Sequence, residues 1–252
     1  MAEIKQITNF LDEELKTAQV EDTSNNGLQV AGKTEVRKIA FAVDACVEVF
    51  EKAIEASADM IIVHHGMSWA DSLKYITGIN YNRLKLLIKN DVSLYASHLP
   101  LDMHDRYGNN IQLAKMLGLN NIEYFGKYHG ATIGKMGCFN NELTLEELKQ
   151  ILEDKLNAKC LTFKFGKEKI KTIGIVSGGG SLALNEAVQK DLDCFLTGEA
   201  PHQTYQEAKE SRMNVIMAGH YETETVGVKA LMPLLKEKFG VEVVFIDAQP
   251  EY

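Results

Sequence analysis

The feature of this sequence that most restricts its fold is an alternation of short apolar runs with segments of helical periodicity. The runs are KIAFAV (Lys38 to Val43), MIIV (Met60 to Val63), VSLYA (Val92 to Ala96), Thr172 to Val176, Cys194 to Leu196, Val215 to Met217 and Val243 to Ile246. Runs this short and this uniformly apolar read as strands covered on both faces. Between them, helices are predicted from the Ile4, Ile7, Leu11, Leu15 stripe and over Val47–Ala56, Tyr81–Lys89, Asn110–Leu117, Thr144–Leu156, Leu182–Lys190 and Glu222–Lys238. Thr144 with Glu147 has capping-box spacing. Tyr124 to Phe139, rich in Gly and aromatics, predicts strands or hairpins. The alternation predicts an α/β protein with parallel or mixed sheets flanked by helices.

A second regularity lies on top of the first. Residues 39–65 and 173–199 both read strand, loop, helix, acid, strand, polar end, without a gap; Ile39 matches Ile173 and Asp59 matches Asp193. This predicts two related α/β halves, and 252 residues suffice for one large domain or two modest ones. No Pro- or Ser-rich linker separates them.

Composition narrows the class. With 45% hydrophobic and 25% charged residues the chain is that of a globular protein, neither disordered nor fibrous. No apolar run approaches the ~20 residues of a membrane span, and the acid-bearing N-terminus lacks a signal-peptide core. A net charge of −8 argues against nucleic acid or an anionic membrane as partner. Cys46, Cys138, Cys160 and Cys194 form no C-x-x-C pair, so reduced thiols and a cytoplasmic location are expected.

Ligands of open α/β sheets bind beyond the carboxyl ends of the strands, and there the polar residues concentrate. MIIV runs into His64-His65-Gly66; VSLYA runs into Ser97-His98, with Asp102 four residues on. Cys194 to Leu196 leads to Glu199 and His202, and Val215 to Met217 leads to Gly219-His220, with Glu224 four residues on. Five of the seven histidines thus follow an apolar strand. Adjacent residues of a strand point to opposite faces, so His64 and His65 converge only if the strand ends there, and Gly66 is expected to supply the turn. His220 and Glu224 share a helix face if a helix starts at once; Pro100 makes this less secure for His98 and Asp102. The set His64, His65, His98, Asp102, His220 and Glu224 suits Zn, Fe, Mn, Ni or Co better than Mg or Ca. It is too large for one tetrahedral ion and sufficient for two sharing a bridging carboxylate.

Other motifs carry less. Ser177 to Ser181 (SGGGS) follows a strand and precedes a helix, and reads equally as a phosphate cradle or a tight turn. Glu199 is a candidate general base or a partner to a ligand histidine, and His202 a candidate for the same cavity. Trp69 is expected to pack rather than stack on a substrate; His104 and His129 are expected at the surface or behind the ligands. Asn25 and Asn26 read as turn formers.

At these residues the sequence resembles the Nif-three-like (NGG-interacting-factor-three-like) family, whose members are often called GTP cyclohydrolase I type II homologues or dinuclear metal centre proteins. The matching segments are NGLQV (Asn26 to Val30), IAFAVD (Ile39 to Asp44), VHHG with Trp69, SHLPLD (Ser97 to Asp102), SGGG (Ser177 to Gly180), TGE (Thr197 to Glu199) and GHYETE (Gly219 to Glu224), which cover nearly the whole chain. The resemblance implies a Nif-three-like fold of two related halves, residues 1–122 with 215–252 and residues 123–214. It implies that His65 and Asp102 hold one divalent ion and His64 and His220 another, that Glu224 bridges them, and that His98 stands beside the pair. It also implies a homohexameric ring with metal sites facing an inner cavity.

Two functions are then expected. One is a dinuclear-metal hydrolase in which a bridging water attacks a small-molecule substrate, a nucleotide by the family label, with Glu199 and His98 as catalytic residues. The other is a ring-shaped metal-containing binding or regulatory protein, with a nucleic-acid or protein partner, without turnover. Metal storage or delivery is a third.

Overall fold

The computed structural model describes residues 1–128 and 130–250. They form two compact units. The first comprises Met1–Tyr107 and the segment from Gly227 onward; the second comprises Gly108–Val226.

In the first unit, β1 (Ala2–Glu3) leads into α1 (Ile4–Glu14), whose Ile4, Ile7 and Leu11 are buried at helical spacing. There follow β2 (Gly27–Val30), β3 (Glu35–Val36), β4 (Lys38–Asp44), α2 (Val47–Glu55), β5 (Met60–His65), α3 (Gly78–Asn90), β6 (Ser93–Ala96) and α4 (Leu99–Met103). The second unit runs α5 (Asn109–Met116), β7 (Asn120–Tyr128), β8 (Ala131–Leu143), α6 (Leu145–Leu156), β9 (Leu161–Phe163), β10 (Ile170–Val176), α7 (Leu184–Gln189), β11 (Cys194–Thr197), α8 (Gln203–Glu210) and β12 (Asn214–Met217). Helix α9 (His220–Phe239) carries the chain back to the first unit, which ends in β13 (Glu242–Phe245).

The first sheet has the order β13-β4-β5-β6-β2, parallel except for edge strand β2. The second has the order β7-β8-β10-β11-β12-β9, with β10, β11 and β12 parallel. Both are mixed sheets, as expected. The core of the second unit shows why its strands lack alternation in the sequence. Cys194 and Leu196 pack into a cluster with Leu148 and Leu152 of α6, whereas Phe195 between them packs with Phe125 and Ala187. Both faces are covered, so every position is apolar. Thr144 caps α6 with the predicted box, its hydroxyl accepting from Glu147 N while Glu147 accepts from Thr144 N.

Several expectations need correction. β12 does not begin the return to the first half at residue 215; it is hydrogen-bonded to β11 and β9 inside the second sheet. Helix α5 goes with the second unit because Leu113, Ala114 and Leu117 join the core built on β10 and α6. The unit limits therefore fall at 107/108 and 226/227. Pro100 starts a helix instead of interrupting one: it lies in the first turn of α4, where its missing N–H has no partner to lose. The helix expected from Leu182 is a 3-10 turn, Ser181–Ala183, followed by α7. Helix α8 has no apolar stripe, burying only Thr204 and Ala208, so nothing in the sequence pattern marks it.

Candidate metal centre

Ligand-type side chains gather at the carboxyl ends of the parallel strands in each unit, and each group is built separately.

In the first unit, β5 ends in His64-His65, with ring centroids 4.6 Å apart and planes at 47°. His98 follows β6, its ring 5.1 Å from that of His64 and 5.7 Å from that of His65. One ligand atom from each of the three lies within 4.8 Å of the others. The rings are held from behind. His64, fully buried, is 2.9 Å through Nδ1 from the carbonyl oxygen of Ser97. His65 Nδ1 is 2.8 Å from Asp44 Oδ1, at the end of β4 and in register with His65 across the sheet. His98 Nδ1 is 3.0 Å from both oxygens of Asp22. A carbonyl or ionised carboxylate only accepts, so Nδ1 carries a proton and, in the neutral ring, Nε2 carries the lone pair. Asp102, buried in the first turn of α4, places Oδ2 3.5 Å from His64 Nε2.

Asp22 anchors this group. Besides His98 it accepts from Ser24 N, Asn26 Nδ2 and Leu99 N. Burial alone would raise its pKa, but the bonds from His98, Asn26 and Ser24 outweigh it and bring it down to about 2. Asn26 also accepts from His98 N, and Gln29 accepts from Met67 N and Ser68 N. The NGLQV segment is thus scaffolding for His98 and for the loop after His65. Gly66 is required for a different reason than expected. It lacks a positive φ, but a Cβ there would collide with the Gln29 amide and Ala96. Trp69 Nε1 donates to the Gly66 carbonyl, and its ring meets His98 edge-on at 4.9 Å, the packing role expected.

In the second unit α9 starts directly at His220, so His220 and Glu224 share its first turn. His220 Nε2 is 3.3 Å from Glu224 Oε2, and His220 Nδ1 is 3.0 Å from Glu199 Oε1, beyond β11. Burial disfavours the charged ring, but Glu224 and then Glu199 more than offset this and raise His220 to about 9. The Ser177–Ser181 loop packs beneath them. Its N–H groups at Ser177, Gly178 and Gly180 donate to Asn110 Oδ1, Thr223 Oγ1 and Thr197 Oγ1. That commits them to the fold and favours the tight-turn reading over a phosphate cradle. Gly178, at φ +59°, leaves room for Glu224: a Cβ there would overlap Glu224 Oε1 and lie 3.1 Å from His220 Nε2.

The structure thus groups His64, His65, His98 and Asp102 in one unit and His220, Glu224 and Glu199 in the other. His202 is exposed at the start of α8. His104 is a structural pin, its Nε2 3.1 Å from the Glu14 carbonyl and its Nδ1 accepting from Arg106 N and Tyr107 N. His129 lies outside the described residues. Sequence reasoning missed Asp22 entirely, since no spacing ties it to His98. Asp44 it met only as the last letter of IAFAVD. Imidazoles anchored through Nδ1, together with buried carboxylates, form a donor set that suits a transition-metal or zinc ion. No helix among the described residues is long and apolar enough to cross a membrane.

The chain matches the Duf34/NIF3 (NGG1p interacting factor 3) family over residues 2–251. A Pyrococcus abyssi protein named GTP cyclohydrolase 1 type 2 homolog is 47% identical over 247 residues, covering 98% of each chain. Its Pyrococcus horikoshii namesake is 50% identical over 243 residues, covering 96% of each. Among solved structures, a Thermus thermophilus protein superposes with a TM-score of 0.92 at 37% identity, covering 99% of this chain and 100% of its own. Reduced HcgD from Methanocaldococcus jannaschii does so with a TM-score of 0.86 at 26% identity, covering 98% of each. By sequence and by fold, the chain belongs to the Duf34/NIF3 family.

Proposed function

We propose that the protein is a metal-dependent hydrolase whose divalent ions, two per chain by the family resemblance, would be held by ligands drawn from His64, His65 and Asp102 in the first unit and His220 and Glu224 in the second. The observation that supports this is the anchoring of all four imidazoles through Nδ1, which leaves each Nε2 as the atom for a metal or a proton; on His220, which Glu224 and Glu199 keep protonated in the metal-free protein, an ion would displace the Nε2 proton. Bound ions would supply Lewis acidity and a water whose pKa is lowered toward ~7. The buried carboxylates of Asp102 and Glu224 would offset the positive charge of bound ions, and His98 Nε2 is the group we assign to take or give a proton. Trp69, against His98, excludes water from one side of that ring. The names of the relatives point to a nucleotide substrate and to hydrolytic opening of a purine ring carbon–nitrogen bond. The homohexamer implied by the family resemblance is the assembly we assign, checked by light scattering.

The test is metal analysis of anaerobically purified protein, followed by a hydrolase screen that includes GTP, with products followed chromatographically. Near two ions per chain and turnover lost in His65→Ala are expected. A His65→Ala protein that keeps its metal and its hydrolytic activity overturns the proposal. Metal binding without turnover of any substrate favours the binding or storage readings.

A further inference from the structure

We infer that Asp44 and Glu199 are positioning residues, each holding one metal-ligand imidazole, His65 and His220 respectively, in the orientation that aims Nε2 at the metal, and so setting the affinity of the centre. The inference rests on the metal reading above, and it moves Glu199 from the role of general base to that of a support behind His220.

The argument begins with exposure. The Asp44 side chain is 40% exposed and that of Glu199 is 62% exposed. A carboxylate so open to water adds little to stability through an ion pair. Yet each points its oxygen at a histidine Nδ1, at 2.8 and 3.0 Å. The described structure gives neither carboxylate a hydrogen bond to any other residue, so fold stability does not account for the arrangement. Ring orientation does. A carboxylate behind Nδ1 fixes the rotamer, keeps the proton off Nε2 when a metal competes for it, and makes Nε2 a better donor. Asp22 does the same for His98 but is nearly buried, and it also closes the 22–26 loop and takes Leu99 N. His64 is the contrasting case, held by the neutral Ser97 carbonyl.

The two supports also occupy related places. Asp44 ends β4, which pairs with β5, so its own sheet brings it to His65. Glu199 follows β11, and its N–H donates to the Gly178 carbonyl beyond β10. In both units, therefore, the support and the histidine it holds lie beyond the carboxyl ends of the parallel strands.

The test uses the full-length protein, zinc as the probe, and a competing chelator to measure affinity. Asp44→Ala and Glu199→Ala are expected to bind zinc about 10- to 100-fold more weakly, with an unfolding midpoint close to that of the parent. Asp44→Asn and Glu199→Gln keep an acceptor oxygen, as Ser97 offers to His64, and are expected to recover most of the loss. Long-range proton–nitrogen spectra of the zinc-loaded parent are expected to show His65 and His220 protonated at Nδ1. Alanine variants within about twofold of the parent, or rings protonated at Nε2, overturn the inference and leave the metal reading standing. A parent protein that takes up no zinc overturns both.

Discussion

Asp59 and Asp193, 134 residues apart (193 − 59), make the same hydrogen bonds in two different sheets. Asp59 accepts from Arg37 N and Lys38 N at 2.8 and 3.3 Å and pairs with Lys33 Nζ at 2.9 Å. Asp193 accepts from Lys171 N and Thr172 N, each at 2.9 Å, and pairs with Lys167 Nζ at 2.7 Å. Each of these partners recurs at the same offset, and Asp193 accepts in addition from Thr172 Oγ1. Gly32 and Gly166, just before the two lysines, donate to Ser93 Oγ and Asn214 Oδ1 at the start of the next parallel strand. Ile39 pairs with Met60, and Ile173 with Cys194, in the same register. The two units are thus built on one plan down to the closing of a strand's first turn.

Replacing either aspartate by alanine is expected to destabilise its unit by about 2–4 kcal/mol, since two backbone donors lose their acceptor. Replacing Lys33 or Lys167 by alanine is expected to cost below ~1 kcal/mol, because both lysine side chains are about half exposed to solvent. Urea unfolding measures both. Lysine variants as damaging as the aspartate ones would show that the charge pair, and not the backbone bonds, holds the turn.

The same carboxylates predict acid sensitivity. In the fold, hydrogen bonds to the lysine and the backbone hold Asp59 and Asp193 below their ordinary value against the opposing effect of burial, and Asp22 falls to about 2. A depressed folded pKa contributes stability above the unfolded value of ~3.9 and loses it as pH falls through the folded one. The unfolding midpoint is expected to drop steeply from pH ~4 to 2, and less steeply in Asp193→Asn. A midpoint flat over that range would refute this account.

At the alkaline end the sign reverses. His220 of the metal-free protein is raised to about 9 by Glu224 and Glu199, so its contribution is complete below the ordinary histidine value of 6.5 and is lost as pH rises through 9. Thermal unfolding of chelator-treated protein is expected to show a midpoint that falls from pH 6.5 to 9. Glu224→Gln is expected to shrink that fall, and an unchanged profile in this variant would assign it to another group.

Gly178→Ala is expected to weaken zinc binding sharply while costing only about 1–3 kcal/mol of stability. The methyl group needs a left-handed backbone conformation and takes the space of Glu224 Oε1. Isothermal titration with zinc checks the first effect and denaturation the second. Parent-like zinc affinity would mean that Glu224 is not a ligand.

The single tryptophan provides a direct probe, since Trp69 lies 4.9 Å from His98 and 6.1 Å from His65. Titration with Co2+ or Ni2+ is expected to quench its fluorescence much more than Zn2+ does, with saturation at the stoichiometry found by metal analysis. Absence of quenching despite bound cobalt would place the ion away from the His64, His65, His98 group.

What could be read from the sequence was whatever depends on chain-local chemistry. Uninterrupted apolar runs mark strands covered on both faces. Thr144 and Glu147 mark a helix start, and the four-residue step from His220 to Glu224 puts both on one helix face. The match of Ile39–His65 to Ile173–Glu199, at an offset of 134 residues (173 − 39), announced the shared plan of the halves.

The missing parts depend on contacts between distant segments. Nothing near Asp22 in the chain points to His98, 76 residues away, yet the fold makes it that ring's anchor. Residue 215 looked like the start of a return to the first half, until β11 and β9 claimed β12 through their hydrogen bonds. Sequence by itself determined which residues could be strands, helices and ligands, because propensity, periodicity and donor chemistry belong to single residues and their near neighbours. Tertiary structure alone decided which nitrogen each histidine offers, because the proton is placed by a carboxylate or carbonyl that only folding brings to Nδ1.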